Sequence, residues 1–177
     1  MKTCIALFRG INVGGNNPLP MKDLRAILER LGAENVRTYL QSGNAVFRRN
    51  EAAGALAAKI AAAIRANHGF APHVFLLDLA DLEKAIAANP FPETANDPKS
   101  LHVFFLDSTP VNPDVTALER LRQGAERYCL KGNLFYLHAP DGVGRSPLAA
   151  RAETALGVPA TARNWRSVCA ILRLAKQ

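Results

Sequence analysis

Short apolar runs and longer amphipathic stripes alternate along the chain, and their order repeats. Residues 3–9 (TCIALFR) are apolar on both faces and stop at a glycine-rich stretch, which predicts a buried strand. From Pro20 the period changes. Met21, Leu24, Ile27, Leu28 and Leu31 make one apolar stripe, a helix stopped by Gly32 in a left-handed conformation. Two strands follow at about 35–40 and 43–49, with Ser42-Gly43-Asn44 as a tight turn between them. An alanine-rich helix over 51–68 carries Leu56, Ile60 and Ile64 and closes at Gly69. Residues 73–78 (HVFLLD) form the next strand.

A connector occupies 79–100: a short helix at about 79–88, then the proline-rich and polar NPFPETANDPKS. The pattern then restarts. LHVFFL (101–106) reads as a strand, and a helix at about 113–123 carries Val115, Leu118 and Leu121 and ends at Gly124. Strands follow at about 126–130 and 134–138. Ser146-Pro147 begins a helix that ends at Gly157, a capping hydroxyl followed by proline at the first helical position. The last strand of this half, around 158–161, is short and contains Pro159. A final helix over 162–175 has Thr161 as its expected cap. TYLQSGNAVF (38–47) aligns with RYCLKGNLFYL (127–137) on a shared Gly-Asn step. The fold expected is α+β, two tandem ferredoxin-like (β-α-β-β-α-β) modules with a C-terminal helix. Residues 1–78 form the first module, 79–100 the connector and 101–177 the second module with the terminal helix. Since TCIALFR and LHVFFL are apolar on both faces, the sheet faces away from the module helices should also be buried. That argues against an open sheet on which bases stack.

Composition narrows the class. Of the 177 residues, 49% are hydrophobic and 21% charged, as in ordinary globular chains. No apolar run reaches the roughly 18 residues a membrane span needs, and the N-terminus lacks the long apolar core of a signal peptide. Cys4, Cys129 and Cys169 are scattered among apolar residues, which fits buried thiols in a reducing cytoplasm. The net charge of +7 is uneven: +5 over residues 1–78, −3 over 79–142 and +5 over 143–177. Basic ends raise the odds of a polyanionic partner.

The stretch FRGINVGGNNPLPM (8–21) is the chief candidate site. Arg9 ends the first strand, and Gly10, Gly14 and Gly15 could turn backbone N–H groups toward an anion ahead of a helix N-terminus. Lys22 lies in the first helical turn, where the helix dipole disfavours a cation. The alternative is a plain chain reversal needing positive φ. Neither the Walker loop nor the dinucleotide fingerprint fits. Near the other end, Arg163 and Asn164 carry the donors and acceptor that a phosphate or base edge requires, and Gln41 and Asn44 could join Asn12 in orienting a ligand. Trp165, with Val168, Cys169 and Leu172, is expected to face the core. Ser42 lies outside any nucleophile elbow. His68, His73, His102 and His138 have no metal spacing, and the aromatic pattern of RNA-recognition strands is absent. Neither a cofactor nor a metal is expected.

Three ordered motifs carry a resemblance over nearly the whole chain: Arg9 to Gly15 (RGINVGG), Thr38 to Asn44 (TYLQSGN) and Thr161 to Trp165 (TARNW). With these the sequence resembles the bacterial family called domain of unknown function 1697. The resemblance implies two α/β plaits and brings no established enzymatic activity. Single-stranded nucleic-acid binding has been suggested for a relative. The favoured expectation is a non-catalytic binder of single-stranded nucleic acid or another phosphorylated ligand, in a basic pocket shared by the opening loop and the start of the last helix. The alternatives are an enzyme or small-ligand receptor with its site between the modules, and an interaction module without a ligand.

Overall fold

The computed structural model of the protein describes residues 1–50 and 55–177. Two compact units divide it: Met1–Lys84 with Ala170–Gln177, and Ala85–Cys169. The first holds β1 (Lys2–Arg9), α1 (Met21–Arg30), β2 (Glu34–Thr38), β3 (Asn44–Arg49), α2 (Leu56–His68) and β4 (His73–Asp78). After α3 (Leu79–Ala87) and a 3₁₀ turn at Pro92–Asn96, the second holds β5 (Leu101–Leu106), α4 (Val115–Leu121), β6 (Arg127–Lys131), β7 (Leu134–His138), α5 (Pro147–Leu156) and β8 (Ala160–Asn164). The last helix is α6 (Trp165–Ala175). The architecture is mixed α+β: two four-stranded antiparallel sheets, ordered β2-β3-β1-β4 and β6-β7-β5-β8, and six α-helices among the described residues. The first four residues of the helix predicted at 51–68 lie outside the described residues.

Side-chain alternation along β1 sets the first core. Cys4, Ala6 and Phe8 face α1 and α2 and pack with Leu24, Ile27, Leu28, Leu56, Ile60 and Ile64. Each fully buried aliphatic or aromatic side chain contributes about 1.5–3 kcal/mol. Ile5 and Leu7 point to the opposite face and are equally buried, so both faces of this strand are dry. In the second unit Phe104, Leu106, Phe135 and Leu137 pack with Leu118 of α4 and Leu148, Ala152 and Leu156 of α5. The opposite face is again buried through Val103, Phe105 and Tyr136, and the Tyr136 hydroxyl donates to the Ala85 carbonyl at 2.7 Å.

Helix stops follow the chain chemistry with one exception. Gly32, Gly69 and Gly157 all adopt left-handed φ at or just beyond the helix ends, and Ser146 accepts from Ala149 N–H at 3.0 Å as the cap of α5. The exception is α4, which stops at Leu121 rather than at Gly124. Arg122 is extended there, and its guanidinium donates to the Glu126 carbonyl while the Glu126 carboxylate accepts from Gln123 N–H. These bonds close the turn before the glycine is reached.

The C-terminal boundary also differs from the sequence reading. β8 runs through Ala160–Asn164, so Thr161 sits inside a strand, and α6 begins at Trp165. Asn164 takes the capping role, its Oδ1 accepting from Ser167 N–H at 2.8 Å. The reason is pairing: residues 160–164 lie opposite Leu106 to His102 of β5, and Ala160 and Ala162 turn into the core. A helix starting at 162 would forfeit that ladder.

The Gly-Asn steps are not equivalent in the two units. Leu7 lies opposite Asn44 and Phe8 N–H donates to the Gly43 carbonyl, whereas Phe105 lies opposite Leu134 and Leu106 N–H donates to the Asn133 carbonyl. Gly43 therefore matches Asn133, one residue out of step with the sequence alignment. Gly132-Asn133 is a two-residue hairpin with Gly132 at φ 58.

His102 supplies a test of the second core. It lies on the same face of β5 as Phe104 and Leu106, and its buried Nδ1 has no hydrogen-bond partner among the described residues. Burial pushes its pKa down to about 4. The unfolded imidazole titrates near 6.5, so the unfolded state takes up the proton first and stability falls as the pH drops from about 6.5 to about 4. The loss is of order 2–3 kcal/mol. Denaturant midpoints measured at pH 7 and pH 4.5 should differ accordingly, and His102→Leu should flatten that difference.

Candidate functional site

The opening loop is a small hairpin tied down by asparagines. Val13 and Asn16 bridge each other, Asn16 N–H donates to the Val13 carbonyl at 3.0 Å, and Gly14 and Gly15 between them have φ of 57° and 78°. Two successive left-handed residues make a type I′ turn, so the Gly-Gly pair is explained by chain reversal. Asn17 Nδ2 donates to the Gly10 carbonyl at 2.9 Å.

Asn12 is the clasp. Its Nδ2 donates to the carbonyls of Leu19 (2.9 Å) and Gln41 (2.8 Å), and its Oδ1 accepts from Leu19 N–H at 2.7 Å. One side chain thus joins both ends of the opening loop to the 39–43 turn. Its backbone is left-handed at φ 54, a region asparagine tolerates better than most residues. Below it, Gly43 is buried at φ 84, and a Cβ there would lie 2.6 Å from Ile11 Cδ1 and 2.8 Å from Phe8 Cβ. Asn44 is 1% exposed, and its Nδ2 donates to the Tyr39 carbonyl at 2.7 Å. Of the candidates in this unit, Asn12, Asn44 and the Gln41 carbonyl hold loops together. Arg9, Gly10, Gly14, Gly15 and Lys22 are exposed on the surface those loops form.

Arg163 and Asn164 belong to the second unit. The Arg163 guanidinium is buried and donates to Thr161 Oγ1 at 2.9 Å and the Ala162 carbonyl at 2.8 Å. Burial pushes its pKa down to about 10, which still leaves it charged at neutral pH. Trp165 is buried, in keeping with a core role. Burial likewise pushes the Cys4 thiol up to about 11, so it offers no thiolate near neutrality. No disulfide joins the three cysteines, and among the described residues no three His, Cys, Asp or Glu side chains gather as a metal site. No helix among the described residues is long and apolar enough to cross a membrane.

Two cavities of the first unit are lined without any residue of the opening loop, and both involve arginines outside the three sequence motifs. One of about 220 Å³ is lined by Leu28, Leu31, Phe47, Arg49 and Leu56 among others. A smaller cleft of about 130 Å³ includes Arg37 and Arg48. No spacing rule marks such residues, because strand register alone brings them together.

The chain belongs to the family described as protein of unknown function (DUF1697), whose model matches residues 1–136. It is similar to the conserved bacterial protein SP0830 from Streptococcus pneumoniae, with 25% identity, a TM-score of 0.74 and 98% of each chain covered. Among curated proteins, nothing matches.

Two substitutions test the clasp. Asn12→Ala deletes three hydrogen bonds and leaves alanine in a left-handed conformation, and should cost about 2–4 kcal/mol of unfolding free energy. Gly43→Ala combines the same conformational penalty with overpacking and should cost a similar amount. Gly15→Ala, where nothing lies within 4 Å of the added Cβ, should cost only about 1–2 kcal/mol. Urea unfolding of the three variants checks the order.

Proposed function

We propose that this member of the DUF1697 family is a non-catalytic binder of phosphate-bearing ligands, single-stranded nucleic acid first among them, through the loop surface of its first unit. One observation carries the reading. The opening loop and the 39–43 turn are locked to each other and hold Val13 and Leu40 out to solvent, and Arg9 at the end of β1 and Lys22 in the first turn of α1, at the two ends of that loop, are exposed as well. Val13 is 59% and Leu40 55% exposed, and Leu40 sits at φ 59, a conformation that costs a branched residue about 1–2 kcal/mol. Strain maintained on an exposed, pre-ordered loop fits a contact surface better than a connector. Guanidinium and ammonium groups beside exposed aliphatic side chains can meet a phosphate backbone and the faces of unstacked bases together.

The same reading takes the two sheets as tandem ferredoxin-like modules. Its support is the β-α-β-β-α-β order in each half and the central placement of β1 with β3 and of β5 with β7. Three cysteines without a disulfide fit a reducing, cytoplasmic setting.

Anisotropy titration with a labelled single-stranded oligonucleotide at two salt concentrations is the test. Affinity should fall steeply with salt. Arg9→Glu with Lys22→Glu should weaken binding and reduce the slope of log K against log salt by about 1.4, the loss of two phosphate contacts. An oligonucleotide that stays unbound at low salt ends the proposal.

A further inference from the structure

Register gathers a second set of cationic groups on one face of the same sheet. Arg37 lies opposite Val46, Arg48 is two residues further along β3, and Thr3 lies opposite Arg48, so all four share one face. With Asn35, Leu174, Ala175 and Gln177 they line the cleft of about 130 Å³. Between Glu34 and Arg37 the pairing slips by one residue, and Asn35 there is left-handed at φ 52. Such bulges re-aim side chains. Glu34, the one acidic residue in register with Arg48, lines the larger cavity instead. Among the described residues that line the cleft, none has an acidic side chain. Arg37 donates to Gln177 Oε1 at 3.3 Å, and Arg48 has no ion-pair partner among the described residues.

The groove in the second unit makes the contrast. There Arg122 is paired with Glu119 and Arg127 with Glu93, and the Arg127 guanidinium stacks on Phe91 at 4.7 Å. Those arginines are neutralised in place. Arg37 and Arg48 share a cleft whose other polar members, Thr3, Asn35 and Gln177, supply hydroxyl and amide donors. Two guanidinium forks with neutral donors and no side-chain carboxylate match a tetrahedral oxyanion in charge and geometry.

We propose that the cleft between β2, β3 and the end of α6 binds a phosphoryl group, with Arg37 and Arg48 as its charged ligands. It is separate from the opening loop: Thr3 and Arg9 stand six residues apart on β1, about 20 Å, and Arg37, level with Val46 and Ile5, is four residues from Arg9, about 13 Å.

Two-dimensional NMR titration of the whole chain with inorganic phosphate tests it. Saturable shifts at the amides of Thr3, Asn35, Arg37, Arg48 and Gln177 are expected, and Arg37→Gln or Arg48→Gln should weaken them about tenfold. Arg37 is on the edge strand β2 and Arg48 is exposed on β3, so the spectra of the variants should otherwise overlay that of the parent. Repeating the titration with a mononucleotide identifies the carrier: tighter binding assigns a nucleotide, and equal binding assigns a phosphoryl group from another source. Shifts that do not saturate, that chloride reproduces, or that survive both substitutions overturn the proposal. Arg9→Glu with Lys22→Glu should leave the phosphate titration unchanged, so failure here and failure at the opening loop are separate results.

Discussion

The first unit depends on how one asparagine spends its hydrogen-bonding groups. Asn12 uses both donors and its acceptor on main-chain partners at Leu19 and Gln41. Each such bond contributes about 1 kcal/mol net, but leaving the partners unsatisfied would cost more. The geometry exists because the backbone at Asn12 is left-handed and because Gly43 lets Ile11 and Phe8 approach closely. RGINVGG and TYLQSGN are therefore two halves of one joint. Residues that read separately as a ligand cradle and a turn are complementary parts of a scaffold, and the surface available to a ligand is what the scaffold leaves outward.

Elements with their own local chemistry were legible in the sequence. The stripe Leu24, Ile27, Leu28, the Ser146-Pro147 start and the stops at Gly32, Gly69 and Gly157 all rest on near-neighbour physics, and they stand in the structure. Features decided by distant partners were hidden. β8 gains its identity from β5, since nothing within VPATARN outweighs a threonine cap until the ladder is counted. The stop of α4 depends on Glu126, four residues beyond Arg122. At the candidate site, Arg9 could be singled out as the charge that ends a strand ahead of a glycine-rich loop, and Lys22 as a cation in a first helical turn, because both are local features. Arg37 and Arg48 could not, because they become neighbours only through a bulge at Asn35 and the pairing of β2 with β3.

Charge placement separates the two units. In the second, cations meet carboxylates or carbonyls: Arg127 with Glu93, Arg122 with Glu119, Lys131 with the Ala88 carbonyl. Exposed pairs of this kind contribute little to stability, about 0–1 kcal/mol each. Their effect is to cancel local potential. In the first unit Lys176 is paired with Glu83 in the same way, while Lys22 in the first turn of α1 and Arg48 in the cleft are exposed. The formal charge lies mostly on the first unit, with 13 basic and 7 acidic residues against 9 and 8 in the second, so its potential is the more positive.

The comparison of the two sheets bears on where function was added to the frame. Both have the same strand order, and Phe8 to Gly43 is the counterpart of Leu106 to Asn133. In the second unit a two-residue hairpin joins the paired strands at that point. In the first, the connection from Thr38 to Asn44 is longer and contains a left-handed leucine. The longer turn supplies the Gln41 carbonyl that Asn12 binds, a contact that a two-residue hairpin would not offer. Nor does the Gly-Asn match between the units mark common descent of the turn, since the aligned residues occupy different positions. What the two halves share is the order of strands around a central pair. What distinguishes the first is an end rebuilt around Asn12 and Gly43, and its strained, solvent-facing residues are the part of this chain whose cost folding alone does not explain.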